Sequence, residues 1–310
     1  MELPTLIATS VVRGARQGQS HGGVYLIDFA RHQVRQVVDW NTSEIDFTGR
    51  GWDRGLRGIA FVGEDIYIAA SDELFVYDRA FRIRRSFRNS YLKHCHEICV
   101  FEGRLFLTST GFDSVLLFDL QEQRFRWAMH VSPGPDGWAA RLYDPEAAGG
   151  GPPLLNTLHL NNVFADETGL YVCGTRTRAL LRFDAQRQLS SYCSLPEGVH
   201  NARPFQGGVL FNDTVADRVR FVRRSGEQVA FPTPHFDPAR LESVGIDDSR
   251  LARQGFGRGL CPITERYVAG GSSPSTVSIY DLDAARRVAS VTLTMDIRNA
   301  IHGLEVWPFT

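Results

Sequence analysis

A repeated unit runs through the whole chain and constrains its fold more than any other feature. Segments 57–78 and 96–119 each contain short β-type runs separated by turns, and they align without a gap as far as Ser71 and Thr110. The same unit begins again at residues 159, 200 and 258. The shorter spacings, about 40 residues, match one four-stranded propeller blade, and the longer ones leave room for an insertion.

The two ends of the chain complete a sixth unit. The segment 302–307 is typical of an innermost strand with nothing after it, whereas 6–9 and 24–28 are typical of later strands with no first strand before them. Pairing these ends closes a ring and removes exposed strand edges. We therefore predict an all-β, six-bladed β-propeller whose last blade is closed by the N- and C-terminal strands.

The repeat also predicts one domain over 1–310 and gives its internal boundaries. The predicted blades are 302–310 with 3–40, then 57–88, 96–130, 159–194, 200–231 and 258–292, and the loops between them are 41–56, 131–157 and 232–257. Loops longer than about 12–15 residues in a compact domain are often functional lids or disordered segments. In a propeller all three would emerge at one mouth of the central channel, which makes that mouth the expected functional site.

The first residue of each unit carries the strongest functional signal. These six residues, which we call the ring positions, are Arg57, His96, His159, His200, Arg258 and His302. The chain has 9 histidines, and four of them fall on these positions. Equivalent positions on a pseudo-symmetric ring point towards its axis together, so we expect the four imidazoles to converge.

Converging imidazoles are typical of a transition-metal site, because neutral imidazole is a good ligand for iron, zinc, copper and nickel. We therefore predict that His96, His159, His200 and His302 bind a metal ion. Arg57 and Arg258 are predicted catalytic residues that position an anionic substrate, since a guanidinium matches a carboxylate or phosphate group.

Neighbouring residues supply further candidates for the same mouth. His94 lies two residues before His96, and Glu97 and Glu305 are candidates for orienting ring histidines by accepting their N–H groups. The asparagines that follow ring histidines are candidates for lining the mouth; they are Asn161, Asn162 and Asn201.

Four short motifs in this order resemble a family of bacterial propellers known only as a domain of unknown function. They are Cys95-His96-Glu-Ile, Leu158-His159-Leu-Asn-Asn, Val199-His200-Asn-Ala-Arg-Pro and Gly257-Arg258-Gly-Leu. The resemblance covers roughly residues 90–270 and implies the fold and the ring positions, but no activity.

Two other propeller families are similar in the placement of their ligands. Gluconolactonase and senescence-marker-type propellers are six-bladed and place oxygen ligands for a divalent cation at comparable positions. The seven-bladed carotenoid cleavage oxygenases hold Fe(II) with four histidines. This likeness makes Fe(II) the expected ion here, with Mn, Zn, Ni or Cu as alternatives.

Three functions remain open from the sequence. The first is a metal-dependent enzyme that performs oxidative, lyase or hydrolase chemistry on a small, anionic metabolite in the channel. The second is a propeller without chemistry that binds a ligand or protein through Trp52, Trp138 and Phe236 in the predicted loops. The third is a metal-free lyase or epimerase with a histidine as general base.

Composition excludes several other classes of protein. Hydrophobic residues make up 43% of the chain, and 34 basic residues balance 35 acidic ones, so disorder, nucleic-acid binding and an anionic membrane surface are not expected. The residues Met1-Glu2-Leu3-Pro4 lack the pattern of a signal peptide, so we expect a cytoplasmic protein. The sequence gives no oligomeric state.

Overall fold

The computed structural model describes residues 3–16, 18–40, 55–135, 137–147, 149–244 and 253–309. In these ranges almost all of the regular secondary structure is β-strand. The strands up to residue 143 are β1 Leu6–Val12, β2 Gly22–Asp28, β3 Gln33–Asp39, β4 Ile59–Val62, β5 Asp65–Ala70, β6 Glu73–Tyr77, β7 Ile83–Arg88, β8 Ile98–Phe101, β9 Arg104–Ser109, β10 Ser114–Asp119, β11 Arg124–Gly134 and β12 Gly137–Tyr143. The later strands are β13 Leu160–Asp166, β14 Gly169–Gly174, β15 Ala179–Phe183, β16 Leu189–Ser194, β17 Val199–Phe205, β18 Gly208–Asp213, β19 Arg218–Arg223, β20 Gln228–Pro232, β21 Leu260–Pro262, β22 Tyr267–Ser272, β23 Thr276–Asp281, β24 Arg286–Thr292 and β25 Asn299–Val306.

These strands form six antiparallel sheets, and the predicted six-bladed β-propeller is confirmed. Their orders are β25-β1-β2-β3, β4-β5-β6-β7, β8-β9-β10-β11-β12, β13-β14-β15-β16, β17-β18-β19-β20 and β21-β22-β23-β24. The first sheet is closed as predicted, because Leu6 pairs with Val306 and Val12 pairs with Asn299. The described residues include two short 3-10 turns, Thr110–Phe112 and Pro238–Arg240, and no helix among them is long and apolar enough to cross a membrane.

The sequence explains which strands lie inside. The middle strands are continuous apolar runs, such as Leu74-Phe-Val-Tyr77 in β6, and they are buried on both faces. The outermost strands, such as β7 with its arginines, are mostly exposed. Tight hairpins join neighbouring strands where two consecutive residues have positive φ, as at Glu102 (48°) and Gly103 (71°). The apolar strands therefore pack inside each blade, and the charged strands lie outside.

The chain divides into two compact units, which we treat separately. Unit 1 comprises Met1–Arg57 and Pro204–Thr310, and unit 2 comprises Gly58–Arg203. In unit 2, apolar clusters form between neighbouring blades, for example around Leu107, Leu116 and Phe118. In unit 1, a cluster that includes Leu6, Ile301 and Leu304 joins the terminal strands to the sheet of β21–β24. The prediction of a single domain stays a prediction.

The predicted loops have different structures. Of the segment 131–157, residues 131–134 continue β11 and 137–143 form β12, a fifth strand that pairs with it. In the segment 232–257 a 3-10 turn spans Pro238–Arg240. Residues 41–54 and 245–252 lie outside the described residues.

Candidate functional site

The ring positions are shared between the two units. His96, His159 and His200 belong to unit 2, and Arg57, Arg258 and His302 belong to unit 1. Five ring positions lie within two residues of the first residue of the innermost strand of their blade, whereas His302 is the fourth residue of β25.

The His96 imidazole has a defined proton position. The ring is buried, and its Nδ1 lies 2.6 Å from the carbonyl oxygen of His94 and 2.8 Å from Oγ1 of Thr110. The Thr110 hydroxyl donates its own hydrogen to the carbonyl oxygen of Leu160. Both neighbours therefore accept at Nδ1, so Nδ1 carries the hydrogen and Nε2 is the basic nitrogen of the neutral ring.

His159 and His200 have the same arrangement with different acceptors. Nδ1 of His159 lies 3.0 Å from the side-chain oxygen of Asn156, and Nδ1 of His200 lies 3.2 Å from the carbonyl oxygen of Gly198. A carbonyl oxygen only accepts, so each Nδ1 is a donor and each Nε2 is the basic nitrogen. Three histidines of unit 2 thus share one protonation pattern.

Two of these imidazoles are in contact. The ring centroids of His96 and His159 lie 5.2 Å apart, with the ring planes at 70°, so the edge of one ring meets the face of the other. His159 has a positive φ of 54°, a backbone conformation that few residues other than glycine adopt. The structure thus brings two of the predicted metal ligands, His96 and His159, into contact. Whether they bind a metal ion stays a prediction.

Glu97 joins two of the inner strands of unit 2. Its Oε2 accepts a hydrogen bond from Nδ2 of Asn201 at 2.6 Å, and Asn201 is buried with a φ of 53°. The sequence indicated that Glu97 would orient a ring histidine. The bond to the residue that follows His200 is charge-assisted and places a carboxylate among the histidine-bearing strands, and the orienting role of Glu97 stays a prediction.

Other predicted residues play smaller parts. The side chain of His94 is exposed, and its carbonyl oxygen is the acceptor for His96. Asn161 and Asn162 donate to the carbonyl oxygens of Val199 and Ala202, so both amides tie β13 to β17. Glu305, in unit 1, accepts a weak hydrogen bond from the Cys261 thiol at 3.7 Å.

A short turn that sequence reasoning did not select bonds His96 and the segment just before His159. It is the 3-10 turn Thr110–Phe112 followed by Asp113, which joins β9 to β10. Thr110 bonds His96, and Asp113 accepts from the segment just before His159. A signal was present, since Thr110 is the last position at which the first two repeats align without a gap.

Unit 1 presents a cationic group around His302. Nη1 of Arg258 lies 2.5 Å from Nε2 of His302, and because a guanidinium only donates, Nε2 of His302 is the acceptor. The phenyl ring of Phe256 lies within 4.7 Å of the Arg258 guanidinium carbon and 4.2 Å of that of Arg13. Cation–π contacts of this kind orient the guanidinium groups.

Arg57 is held in place through its backbone. The Thr9 hydroxyl donates to the Arg57 carbonyl oxygen at 2.6 Å and accepts from the backbone N–H of Gly303 at 2.8 Å. Arg57 is 3% exposed. Anion binding by Arg57 stays a prediction.

The structure does not show a formed metal centre. Within the ranges that the structure describes, no group of three or more His, Cys, Asp or Glu residues is arranged to hold a metal ion. The donor set of unit 2 is chemically suitable, because each Nε2 is a basic imidazole nitrogen. The assignment of His96, His159, His200 and His302 as ligands stays a prediction.

Of the aromatic residues predicted for a partner surface, two can be placed. Trp138 lies on β12 and packs, half-buried, against the apolar cluster around Leu160. The backbone N–H of Phe236 donates to the side chain of Gln254. Trp52 lies outside the described residues.

Comparison with known proteins supports the fold. No family model and no curated protein matches the sequence, so the predicted membership of a domain family of unknown function is not confirmed. Among solved structures, the crystal structure of a nidogen/laminin complex matches with a TM-score of 0.59 and 9% sequence identity, covering 97% of each chain. At this identity the match shows the fold alone.

Two lyases are also among the structural neighbours. A streptogramin B lyase matches with a TM-score of 0.48 and 12% identity over 78% of this chain and 84% of the lyase. A virginiamycin B lyase from Staphylococcus aureus matches with a TM-score of 0.45 and 10% identity over 80% of this chain and 70% of the lyase. With TM-scores below 0.5, these two matches add nothing to the evidence for function.

Proposed function

We propose that this propeller is an enzyme that transfers protons to and from a small molecule through the imidazoles of His96, His159 and His200. The observation that carries the proposal is the shared protonation pattern, in which each Nδ1 donates to an oxygen and leaves Nε2 as a base. A structural histidine needs no such uniformity. A neutral imidazole whose Nε2 is basic has the form that a general base requires.

Histidine suits this role because its ordinary pKa lies near neutral pH, so it both accepts and releases a proton there. The contact between His96 and His159 supplies a pair. One Nε2 takes a proton from a substrate carbon, and the electron pair stays on the substrate as an enolate. The other imidazole, which takes up a proton from water at its own Nε2 beforehand, then delivers that proton, either to that carbon in an epimerase or to a departing group in a lyase. The first imidazole afterwards releases its proton to water.

The direct test is deuterium exchange. The purified protein is incubated in D₂O with a panel of small hydroxy acids, keto acids and sugar phosphates, and proton NMR follows the loss of C–H signals. We expect exchange with the wild-type protein and a loss of roughly 10²-fold or more in His96→Gln and His159→Gln. His32→Gln, which changes an exposed histidine, is the matched control and should exchange like wild type.

The outcome against the proposal is equally clear. Wild-type exchange rates in the variants of His96, His159 and His200 would show that these imidazoles do not move the proton. Absence of exchange across the panel, in protein with a native circular dichroism spectrum, would also count against proton transfer from carbon.

A second candidate is a transition-metal ion, with Fe(II) first, held by the same Nε2 atoms. The specific observation in its favour is that metal-ligating histidines also donate their other ring N–H to an oxygen. An ion would supply Lewis-acid or redox chemistry when bound. Because the described residues do not form a metal centre, we derive no step through it.

Elemental analysis of protein purified without an affinity tag separates the two candidates. Near one equivalent of iron or another transition metal, lost in His96→Gln and His159→Gln, would support the metal. Deuterium exchange that persists after chelation and dialysis would support metal-free proton transfer.

We also propose, from unit 1, that Arg57 and Arg258 bind an anion. The support is the guanidinium of Arg258, which is oriented by Phe256 and by His302. Calorimetric titration with inorganic phosphate should show binding that weakens at least 10-fold in Arg258→Gln. Arg31→Gln, which changes an exposed arginine of the same unit, should leave binding unchanged. Equal binding by all three proteins would contradict the assignment.

A further inference from the structure

The turn between β9 and β10 is connected to both histidines of the contacting pair. It consists of the 3-10 turn Thr110–Phe112 and Asp113, which has a positive φ of 45°. Thr110 and Asp113 are both buried, at 0% and 1% exposure. A buried hydroxyl and a buried carboxylate are costly to desolvate unless hydrogen bonds satisfy them. The hydrogen-bond partners of Thr110 and Asp113 therefore determine what the turn holds in place.

Thr110 links the His96 ring to the strand that carries His159. Its Oγ1 accepts from Nδ1 of His96 at 2.8 Å and donates to the carbonyl oxygen of Leu160, the residue after His159. The Thr110 hydroxyl therefore joins the His94 carbonyl oxygen as an acceptor at Nδ1 of His96, and it ties that ring to the backbone of the strand that follows His159.

Asp113 acts on the other histidine through the segment before it. Its Oδ2 accepts from the backbone N–H of Thr157 at 2.6 Å, from the Thr157 hydroxyl at 2.7 Å and from the backbone N–H of Leu158 at 3.1 Å. These charge-assisted bonds hold the two residues that immediately precede His159.

Asn156 extends the same connection to the His159 ring. Its backbone N–H donates to the carbonyl oxygen of Gly111, in the turn, at 3.1 Å. Its side-chain oxygen accepts from Nδ1 of His159 at 3.0 Å. The turn thus reaches the His159 backbone through Asp113 and the His159 ring through Asn156.

We infer that the 110–113 turn is a positioning element, in which Thr110 and Asp113 hold His96 and His159 in contact with Nε2 as the basic nitrogen of each. The inference rests on the proposed function, because a proton-transferring pair requires both rings to be fixed together. Neither Thr110 nor Asp113 needs to touch a substrate. Their role is to keep two imidazoles in one tautomer and one relative orientation.

The test is a direct view of the imidazoles in the protein without substrate. Protein carrying ¹⁵N-labelled histidine is studied by long-range ¹H–¹⁵N NMR, with the signals of His96 and His159 assigned from His96→Gln and His159→Gln. In wild type we expect both rings to show the tautomer with hydrogen on Nδ1. Thr110→Val removes the hydroxyl and should broaden or shift the Nδ1–H signal of His96, whereas Thr110→Ser keeps the hydroxyl and should restore it.

Further variants separate positioning from general damage. Asp113→Ala should change the His159 signals, and if it fails to fold, the pair of Thr110 variants still decides the question. Thr168→Val is the control, because it removes a threonine hydroxyl that bonds Asp166 in another turn of the same unit. It should leave the spectra of both histidines unchanged.

The outcomes distinguish this inference from the proposed function. His96 signals in Thr110→Val that equal those of wild type would overturn the positioning role. Expected spectra together with deuterium exchange that falls by about 10- to 100-fold in Thr110→Val and recovers in Thr110→Ser would support both. The third outcome combines the expected histidine spectra with no deuterium exchange, even in wild type. The turn would then remain an element that holds the tautomers of the two imidazoles, and proton transfer by these imidazoles would be rejected.

Discussion

At the scale of single residues, the backbone at Gly174 packs so closely against the backbone of Leu158 and His159 that no side-chain atom fits between them. Gly174, on β14, pairs with Leu160, and a Cβ atom there would lie 2.5 Å from the Leu158 carbonyl oxygen and 2.6 Å from that of His159. These distances are shorter than real Cβ contacts, and both neighbours are backbone atoms that cannot move aside. Glycine at this position therefore permits the backbone approach that places His159.

We predict that Gly174→Ala displaces the His159 backbone, lowers the deuterium-exchange rate at least 10-fold and destabilises the protein by about 1–3 kcal/mol. Urea unfolding and the exchange assay measure the two effects. Gly150→Ala is the control, since a Cβ atom at Gly150 would meet nothing within 4 Å. The prediction is wrong if Gly174→Ala and Gly150→Ala behave alike.

Burial also decides the reactivity of the neighbouring cysteine. Cys173 is 0% exposed, and burial raises the pKa of its thiol to about 12. Only the thiolate reacts with alkylating agents, and at pH 8 almost all of this thiol is protonated. We predict that iodoacetamide leaves Cys173 unmodified in the folded protein at pH 8 and modifies it in 8 M urea, as read by peptide mass spectrometry. Modification of folded protein at the rate seen in urea would contradict the raised pKa.

The residues of the candidate site were only partly predictable from the sequence. Alignment of the repeats selects His96 and His159, because equivalent repeat positions are recognisable without coordinates. It does not select Thr110, Asp113 or Asn156 as their partners. Those contacts depend on how a turn folds back onto a neighbouring blade, which no local pattern encodes.

At the scale of the element, an aspartate closes the turn after the third strand of five blades. In each case its Oδ1 accepts backbone N–H bonds from the turn that follows; these residues are Asp28, Asp78, Asp119, Asp184 and Asp281. An aspartate stands at this place in the sequence of all five units, and the structure gives the physical reason. The carboxylate satisfies N–H groups that the strands leave without partners.

The blade of β21–β24 has the strongest version of this turn. Arg266 donates from Nε and Nη2 to the two carboxylate oxygens of Asp281 at 2.9 and 2.7 Å. These bonds, together with backbone N–H groups of the turn, hold the pKa of Asp281 well below its ordinary value. A lowered pKa in the folded state means that the stabilisation is complete above the unfolded pKa, near 4, and is lost as the pH falls towards the folded value.

We therefore predict that Asp281→Asn is less stable than wild type at pH 7 and that the difference narrows as the pH is lowered from 4 to 2. Urea unfolding followed by circular dichroism at pH 7, 4 and 3 measures it. Asp283→Asn is the control, because Asp283 is exposed and lies 3.5 Å from Arg266. A difference between Asp281→Asn and wild type that is the same at pH 7 and pH 3 would contradict the prediction.

At the scale of the whole molecule, the repeat predicted the fold because every blade buries the same pattern of apolar strands. Apolar runs at regular spacing require buried strands, and the unmatched runs at the two ends require each other. The fifth strand β12 was not predicted. Its sequence, with Trp138, Leu142 and Tyr143 among glycine and arginine, follows no repeat, and it forms a strand because β11 continues beyond its blade and offers an edge.

Closure by the C-terminal strand carries a large share of the stability. β25 pairs with β1 over most of its length, and its residues Ala300, Ile301 and Leu304 are 0%, 0% and 3% exposed. Burial of one such leucine or isoleucine contributes about 1.5–3 kcal/mol, whereas whole proteins are stable by only about 5–15 kcal/mol. Loss of this strand would also leave β1 as an unpaired edge that favours aggregation.

We predict that deletion of residues 299–310 abolishes cooperative unfolding and makes most of the protein insoluble. Deletion of 308–310, which lie beyond β25, is the control and should leave a soluble protein with a sharp thermal transition. Circular dichroism melting and the soluble yield measure both. A synthetic peptide of residues 299–307, added during refolding of the longer deletion, should restore part of the transition, because it supplies the missing partner of β1. A longer deletion that melts at the wild-type temperature without the peptide would show that the ring does not depend on this strand.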